Sequence, residues 1–306
     1  MNSLRALAAS LIFASSTLVH VAVVLVASSL KALIPIRAVR RALNRMLMVI
    51  AESWIGVNTW MIRSMTHTRF IVDAPAGLRY DGHYLVLANH QSWVDIPVLQ
   101  AALNRRIPLL RFFLKRQLFW VPFLGLAWWA LDFPFMQRYS REILAKRPEL
   151  AGRDIEATRR ACAKFRDLPV SVMNFVEGTR FTRAKHARQV SPYAHLLKPK
   201  AGGVGFVLDA MGGALHSLLD VTLVYPRGQP TFADLFANRI PSVHVIIRER
   251  PIPAELIGGD YEKEPQVRVR VQRWINEIWR EKDATIAAVL GKALPAPAER
   301  DDVIVE

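Results

Sequence analysis

The chain has 306 residues, enough for one large domain or two small ones with a real core. A hydrophobic fraction of 52% and a formal net charge of +15 point to a membrane connection and to a polyanionic neighbour: nucleic acid, an anionic bilayer or a phosphorylated substrate. The single cysteine, Cys162, excludes an intramolecular disulfide and leaves no mark of an oxidising compartment. Cys162 falls at helical spacing with Ile155, Thr158 and Phe165, so it reads as a buried, inert thiol and not a nucleophile.

Residues Ala6 to Leu30 contain no Asp, Glu, Lys or Arg. About 25 residues at ~1.5 Å each cover a ~30 Å hydrocarbon core. The run is longer than a signal-peptide core, and Lys31, Arg37, Arg40, Arg41 and Arg45 follow it, against Arg5 alone before it. This bias predicts an uncleaved anchor in the cell inner membrane with the rest of the chain in the cytoplasm, either spanning or inserting into one leaflet. His20 within it is expected to be neutral and to face a partner helix or the interface. Met46 to Met65 is apolar but carries Glu52, Asn58, Arg63, Trp54 and Trp60, a mixture that suits a helix lying on a bilayer. The arginines from Arg37 to Arg45 would then sit at anionic headgroups beside it.

Past Thr66, strands are expected at Arg69–Val72, Tyr84–Ala88, Leu109–Leu114, Val170–Phe175, Leu218–Tyr225 and Val243–Arg248. Helices are expected at Val94–Leu103, Asp154–Phe165 and Gly205–Met211, with a last one opening at Pro265 that carries Val267, Val271, Trp274, Ile275 and Ile278 on one side. Leu118 to Leu131 is apolar enough for a second span, but Pro122, Gly125, Asp132 and Pro134 make it a broken helix touching lipid or lining an apolar groove. The tail from Leu294 is rich in Pro, Ala and charge and reads as disordered. Strands alternating with helices give an α/β class: a mixed central sheet flanked by helices, with N-terminal membrane-anchoring helices. The expected organisation is an anchoring region over 1–65, an α/β domain over 66–293 and a tail over 294–306.

Four strand ends pass directly into polar residues. Ala88 is followed by Asn89 and His90, with Asp95 entering from the next turn; this is either a general base with an orienting carboxylate or a structural His–Asp bond at a capped strand. The second stretch runs from Lys115-Arg116 to Asp132-Phe-Pro-Phe-Met-Gln-Arg138. The third is Asn174-Phe-Val-Glu177-Gly178-Thr179-Arg180, in which the glycine permits a turn and the arginine offers a planar fork to a phosphate. A surface Glu–Arg pair beside a turn is its plainer reading. The fourth is Val221-Thr-Leu-Val-Tyr-Pro226. Lys200-Ala-Gly-Gly203 is either another anion contact or a helix start of small residues. If the strands share a sheet, these ends converge on one cleft.

In this order and spacing, the stretches from Tyr84 to Pro226 resemble the four blocks of the glycerolipid acyltransferases of the 1-acyl-sn-glycerol-3-phosphate (lysophosphatidate) type. Trp120-Val-Pro-Phe-Leu-Gly125 resembles a bacterial subgroup close to lysocardiolipin acyltransferase-like proteins. Two blocks depart from the family pattern: Val176 stands where a proline usually precedes the glutamate, and Asp132 and Met136 replace a glycine and an isoleucine. The resemblance implies that His90 deprotonates the sn-2 hydroxyl of a lysophospholipid and that Asp95 orients His90. The hydroxyl then attacks an acyl thioester on coenzyme A or acyl carrier protein, yielding phosphatidic acid for phospholipid biosynthesis. It further implies that Lys115, Arg138, Glu177, Gly178, Thr179 and Arg180 bind the glycerol-phosphate end, with no metal and no cofactor beyond the thioester co-substrate. The chain has no Gly-x-Ser-x-Gly elbow, as expected when the substrate supplies the attacking hydroxyl. Leu118–Leu131 would border the acyl channel or serve as core and membrane contact.

The alternatives are an acyltransferase for another lysophospholipid, or an inactive membrane-anchored anion-binding protein. Nucleic acid is not an expected partner, because the basic residues from Arg37 to Arg45 adjoin an apolar helix and not an aromatic-studded sheet face. No His/Glu spacing resembles a zinc site.

Overall fold

The computed structural model describes residues 2–136, residue 147 and residues 169–293. Arg138, the expected Asp154–Phe165 helix with Cys162, and the tail from Leu294 lie outside the described residues, and of Lys115 only the backbone is described.

The strands are β1 (Arg69–Asp73), β2 (His83–Ala88), β3 (Leu110–Phe112), β4 (Leu114–Lys115), β5 (Phe135–Met136), β6 (Val170–Phe175), β7 (Ser217–Val224) and β8 (Ser242–Arg250). Six of them form one sheet in the order β1-β8-β7-β2-β6-β3, and β4 and β5 pair separately. β2, β3, β6 and β7 are parallel; β8 runs antiparallel to β7 and parallel to β1. The sheet is therefore mixed, as expected. The C-terminal ends of β2, β6 and β7 lie side by side at one edge, where α/β sheets place their ligands.

The helices are α1 (Asn2–Leu33), α2 (Arg37–Met65), α3 (Asp95–Leu103), α4 (Leu124–Ala130), α5 (Arg183–Gln189), α6 (Gly202–Met211), α7 (Phe232–Phe236) and α8 (Pro265–Ala293). The two-residue period of β2 separates two cores. Tyr84, Val86 and Ala88 face one that includes α1, α2 and α3; Leu85 and Leu87 face the other, with α6 and α8. On α8, Val267, Val271, Ile275 and Ile278 are buried as their spacing predicts, and each stabilises the fold by roughly 1.5–3 kcal/mol.

Two expectations change in detail, and a third holds. Leu109–Leu114 is two short strands separated at Phe113, because Leu114–Lys115 turns away to pair with Phe135–Met136. Leu118–Leu131 is broken as expected, into a 3-10 turn over Arg116–Trp120 and α4, with Phe123 at φ +63° between them. Met46–Met65 belongs to a longer helix that starts at Arg37, and it does not lie bare on a bilayer. Leu47, Ala51, Ile55, Met61 and Ile62 are buried in the protein core, so α2 is sandwiched between α1 and the domain.

The longest row of exposed apolar side chains belongs to α1, where Leu7, Leu11, Leu18, Val19, Val23, Val26, Leu30 and Leu33 all face outward; on α2, Met46, Val49 and Trp60 are exposed. α1 is the one helix among the described residues long and apolar enough to cross a membrane. It packs antiparallel along α2 and touches α4 and α7. His20 faces α2, with Nε2 3.4 Å from Ser53 Oγ, and Trp54 donates to Thr17 Oγ1 at 3.1 Å.

Candidate active site

The site is built at the ends of β2, β6 and β7. Asn89 comes first after β2 and is fully buried. Its amide donates to the Leu223 carbonyl at 2.9 Å and accepts from the Leu223 N–H at 2.8 Å. It thus extends the β2–β7 ladder past the end of the strand and fixes where the next residue stands.

That residue is His90. Its Nδ1 lies 2.8 Å from Oδ2 of Asp95, the first residue of α3, which is wholly buried. The same oxygen accepts the backbone N–H groups of Gln91 at 2.6 Å and Ser92 at 2.8 Å, and Oδ1 accepts the hydroxyl of Tyr225 at 2.8 Å. Acceptance from several donors, at the favourable end of the α3 dipole, suits an ionised carboxylate. With Nδ1–H directed at Asp95, Nε2 is the nitrogen left to accept a substrate proton. The imidazole is stacked on Phe175, with ring centroids 3.9 Å apart and planes at 13°. The His90 backbone carbonyl accepts the Phe181 N–H at 2.7 Å, which ties the His90 loop to the turn after β6.

In that turn, Gly178 has φ +69° and donates its N–H to the Phe175 carbonyl at 2.9 Å, a left-handed geometry that favours glycine. Arg180 is exposed and lies over the Trp93 ring at 4.7 Å, so both its guanidinium face and its position are set by the loop after His90. Lys185, from α5, donates to Thr179 Oγ1 at 2.7 Å and to the Arg180 carbonyl at 2.9 Å. Arg180, Thr179 and Lys185 together make the turn cationic and rich in donors.

Glu177 is different. It is fully buried, and neither carboxylate oxygen has a hydrogen-bond partner among the described residues. Burial first and the charge of Asp95 second push its carboxyl well above the usual carboxylate range; the nearby N–H groups of His90 and Leu197 and the ammonium of Lys282 oppose this only in part. In this conformation it lies under the site instead of lining it. Burial, reinforced by Asp95, likewise pushes the Tyr225 hydroxyl well up, which keeps it a donor.

A second layer lies behind. Lys282, on α8, is fully buried; its Nζ is 2.5 Å from Asp220 Oδ1 and donates to the Val221 carbonyl at 2.6 Å and to Thr222 Oγ1 at 3.2 Å. Arg250 pairs with Asp220 at 3.0 Å and with Glu281 at 2.6 Å. The stretch Lys200-Ala-Gly-Gly203 takes its small-residue role: Lys200 N–H bonds to the Val176 carbonyl at 2.8 Å, and a Cβ on Gly203 would come within 2.4 Å of the Asn174 amide.

His90, Trp93, Gly178, Phe175, Asn174 and Met173 border a cavity of about 460 Å³, walled otherwise by Gln100, Gln117 and mainly apolar side chains including Trp54, Leu118, Trp128, Leu131 and Phe133. It combines one polar end with a long apolar wall. Of the sequence-predicted site residues, His90, Asp95, Glu177, Gly178, Thr179 and Arg180 are brought together. Arg138 and the Lys115 side chain fall outside the described residues. Tyr225, Phe175, Trp93, Lys185 and Lys282 gain roles the sequence reading did not assign. Tyr225 lay within the fourth stretch, directly past a strand end, and an aspartate in β7 together with a lysine on the apolar stripe of α8 was the available signal for a buried pair.

The acyltransferase family model matches residues 63–226. The chain is 26% identical over 219 residues to mouse 1-acyl-sn-glycerol-3-phosphate acyltransferase gamma, covering 66% of this chain and 52% of that protein. It is 23% identical over 253 residues to the rat delta protein, covering 78% and 59%. It thus spans little more than half the length of these relatives. Its fold is similar to the crystal structure of the 1-acyl-sn-glycerophosphate acyltransferase PlsC from Thermotoga maritima, with a TM-score of 0.50 at 19% identity, covering 91% of this chain and 98% of that one. With more than half of its residues matched by the family model, the chain belongs to the acyltransferase family.

Proposed function

We propose that the chain transfers a fatty acyl group from an acyl thioester to the sn-2 hydroxyl of lysophosphatidate. One observation carries the reading: the His90–Asp95 pair stands at the polar end of an apolar cavity, beside a cationic turn. His90 Nε2 takes the proton from the acceptor hydroxyl as its oxygen attacks the thioester carbonyl. The tetrahedral oxyanion collapses, the C–S bond breaks, and the imidazolium returns the proton to the departing thiolate. Asp95, held by four donors, keeps the imidazole in the required tautomer and balances its charge. Arg180, stacked on Trp93, receives the acceptor phosphate, with Thr179, Gly178 and Lys185 shaping the turn, and Arg138 and Lys115 adding charge. Glu177 acts from beneath by supporting the turn. The cavity walls from Leu118 to Leu131 hold an acyl chain.

The outward apolar face of α1 supports a membrane-bound enzyme. Because α1 lies along the domain and touches α4 and α7, insertion in the plane of one leaflet fits better than a helix projecting alone. The basic run after α1 supports a domain on the cytoplasmic side of the inner membrane.

The test is acyl transfer by the purified full-length protein in detergent, with acyl-CoA and acyl carrier protein thioesters as donors and a panel of lysophospholipid acceptors. Transfer to lysophosphatidate, lost in H90A with the fold retained, is the expected result. Full activity in H90A would remove the base, and preference for another acceptor would reassign the substrate.

A further inference from the structure

A second cavity, of about 590 Å³, lies between the C-terminal turns of α1, the first turns of α2 and the segment from Trp129 to Phe135. Its polar wall consists of Ser28, Ser29, Lys31, Arg40 and Asp132, and its apolar wall includes Leu25, Trp129 and Phe135. Lys31 and Asp132 form an ion pair at 3.5 Å, which accounts for one positive and one negative charge. The Arg40 side chain has no ion pair or hydrogen bond among the described residues, so the wall retains one uncompensated guanidinium with two serine hydroxyls close by. The surroundings deepen the excess. No acidic residue occurs before Glu52, while Lys31, Arg37, Arg40, Arg41 and Arg45 crowd the turn between the two helices. The arginines also sit at the positive end of the α2 dipole, where an anion lowers the energy and a cation raises it.

The cavity is bordered by exposed apolar residues. Val26, Leu30, Leu33 and Ile36 face outward next to it, and the Trp129 ring is 60% exposed at its edge. Such a surface enters the acyl region of a bilayer, and tryptophan favours the headgroup level. A cationic, hydroxyl-bearing pocket at that level has the chemistry of a phosphate diester site.

We propose that this cavity seats the phosphate-bearing headgroup of an anionic phospholipid of the bilayer, with Arg40 as its principal ligand and Ser28, Ser29 and Lys31 beside it. The site is separate from the one that holds His90, and the lipid in it is a tether and not a reactant. It locks the α1–α2 turn to the membrane at a fixed depth. The proposal rests on membrane residence but not on the identity of the acyl acceptor.

The test uses flotation of the full-length protein with vesicles of phosphatidylcholine alone and of phosphatidylcholine mixed with phosphatidylglycerol. Three variants separate a built site from general surface charge: R40A, R41A and S29F. R41A removes the same charge from a residue that does not line the cavity and should weaken binding to the anionic vesicles a few-fold. R40A should weaken it by roughly tenfold or more, as expected for loss of a charged hydrogen-bonding ligand. S29F fills the cavity without changing charge and should abolish the preference for phosphatidylglycerol while retaining binding to phosphatidylcholine. Equal losses in R40A and R41A, or an intact preference in S29F, would overturn the site. Displacement from the anionic vesicles by inorganic phosphate, at an ionic strength where chloride has no effect, would show that the pocket takes free phosphate and would overturn the lipid assignment. Unchanged acyl transfer to detergent-dispersed substrate in R40A and S29F verifies that each variant is folded.

Discussion

Tyr225 and His90 hold opposite oxygens of one carboxylate. The tyrosine hydroxyl donates to Asp95 Oδ1 at 2.8 Å, and the His90 Nδ1–H is directed at Oδ2, also at 2.8 Å. They come from positions 135 residues apart, and only the β2–β7 pairing brings them together. Y225F removes one hydrogen bond to a buried carboxylate, so a loss of about 1.5–3 kcal/mol of stability is expected. It also leaves Asp95 more charge with which to hold the imidazolium, so the acidic limb of the pH–rate profile should move to higher pH. Chemical denaturation and a pH–rate series check the two effects; an unmoved profile would make Tyr225 purely structural.

His90 and Asp95 should behave as one unit. H90A and D95N should each reduce acyl transfer by roughly 10²–10⁴-fold, the usual range for general-base help. The double variant should be no worse than the more damaged single one, since the carboxylate acts only through the imidazole. Multiplying losses in a steady-state comparison would contradict this arrangement.

Glu177 supplies a pH dependence whose sign is set by burial. Its folded-state carboxyl lies well above the ordinary value of about 4.5, so the fold favours the neutral form. The resulting cost is absent below that ordinary value and grows as pH rises toward the folded-state value. E177Q should therefore gain stability relative to the wild type as pH is raised above about 4.5, whatever constant offset the amide introduces. Melting temperatures of both proteins across that range read the difference, and a flat difference would place Glu177 in a more polar environment.

Lys282 and Asp220 form an ion pair in which both side chains are buried. K282M leaves Asp220 charged with Arg250 as its one cationic partner among the described residues, and a loss of about 3–5 kcal/mol is expected. The double variant K282M/D220N should recover much of that loss, because the uncompensated charge is gone. A double-mutant cycle by urea denaturation measures the coupling.

Arg180 over Trp93 predicts a binding defect more than a chemical one. R180K swaps a planar fork for a point charge and should raise KM for the phosphorylated acceptor with a smaller effect on kcat. W93A should shift KM in the same direction, since it removes the surface on which the guanidinium rests. Unchanged KM in both would take Arg180 away from the acceptor phosphate.

Much of the fold was legible. Val170–Phe175 is the strand its apolar run predicts, and Asp95–Leu103 and Pro265–Ala293 follow from helical period and a proline in the first turn. Arg183–Gln189 and Phe232–Phe236 carry no periodic signal; both are short helices set by local caps at Thr182 and Thr231, with too few turns to establish a period. The apolar pattern points to a start near Met46, whereas α2 begins at Arg37, because the arginines interrupt the pattern without interrupting the helix. At the site, His90 and the Glu177–Arg180 turn stand out because each closely follows an apolar strand, and Asp95 because it opens the helix five residues after His90.

By itself, the sequence determined the alternation of strands and helices, the apolar N-terminal helix, the basic run after it and the residue types that carry the chemistry. These depend on periodicity and composition, which are local. Only the tertiary structure decided which oxygen of Asp95 each partner holds, that Glu177 is buried beneath the turn, that Arg180 rests on Trp93 and that Arg40 faces a cavity. Each of those depends on strand order and helix packing between residues far apart in the chain. Burial then sets the charge state of a carboxyl that the motif alone would read as an exposed ligand.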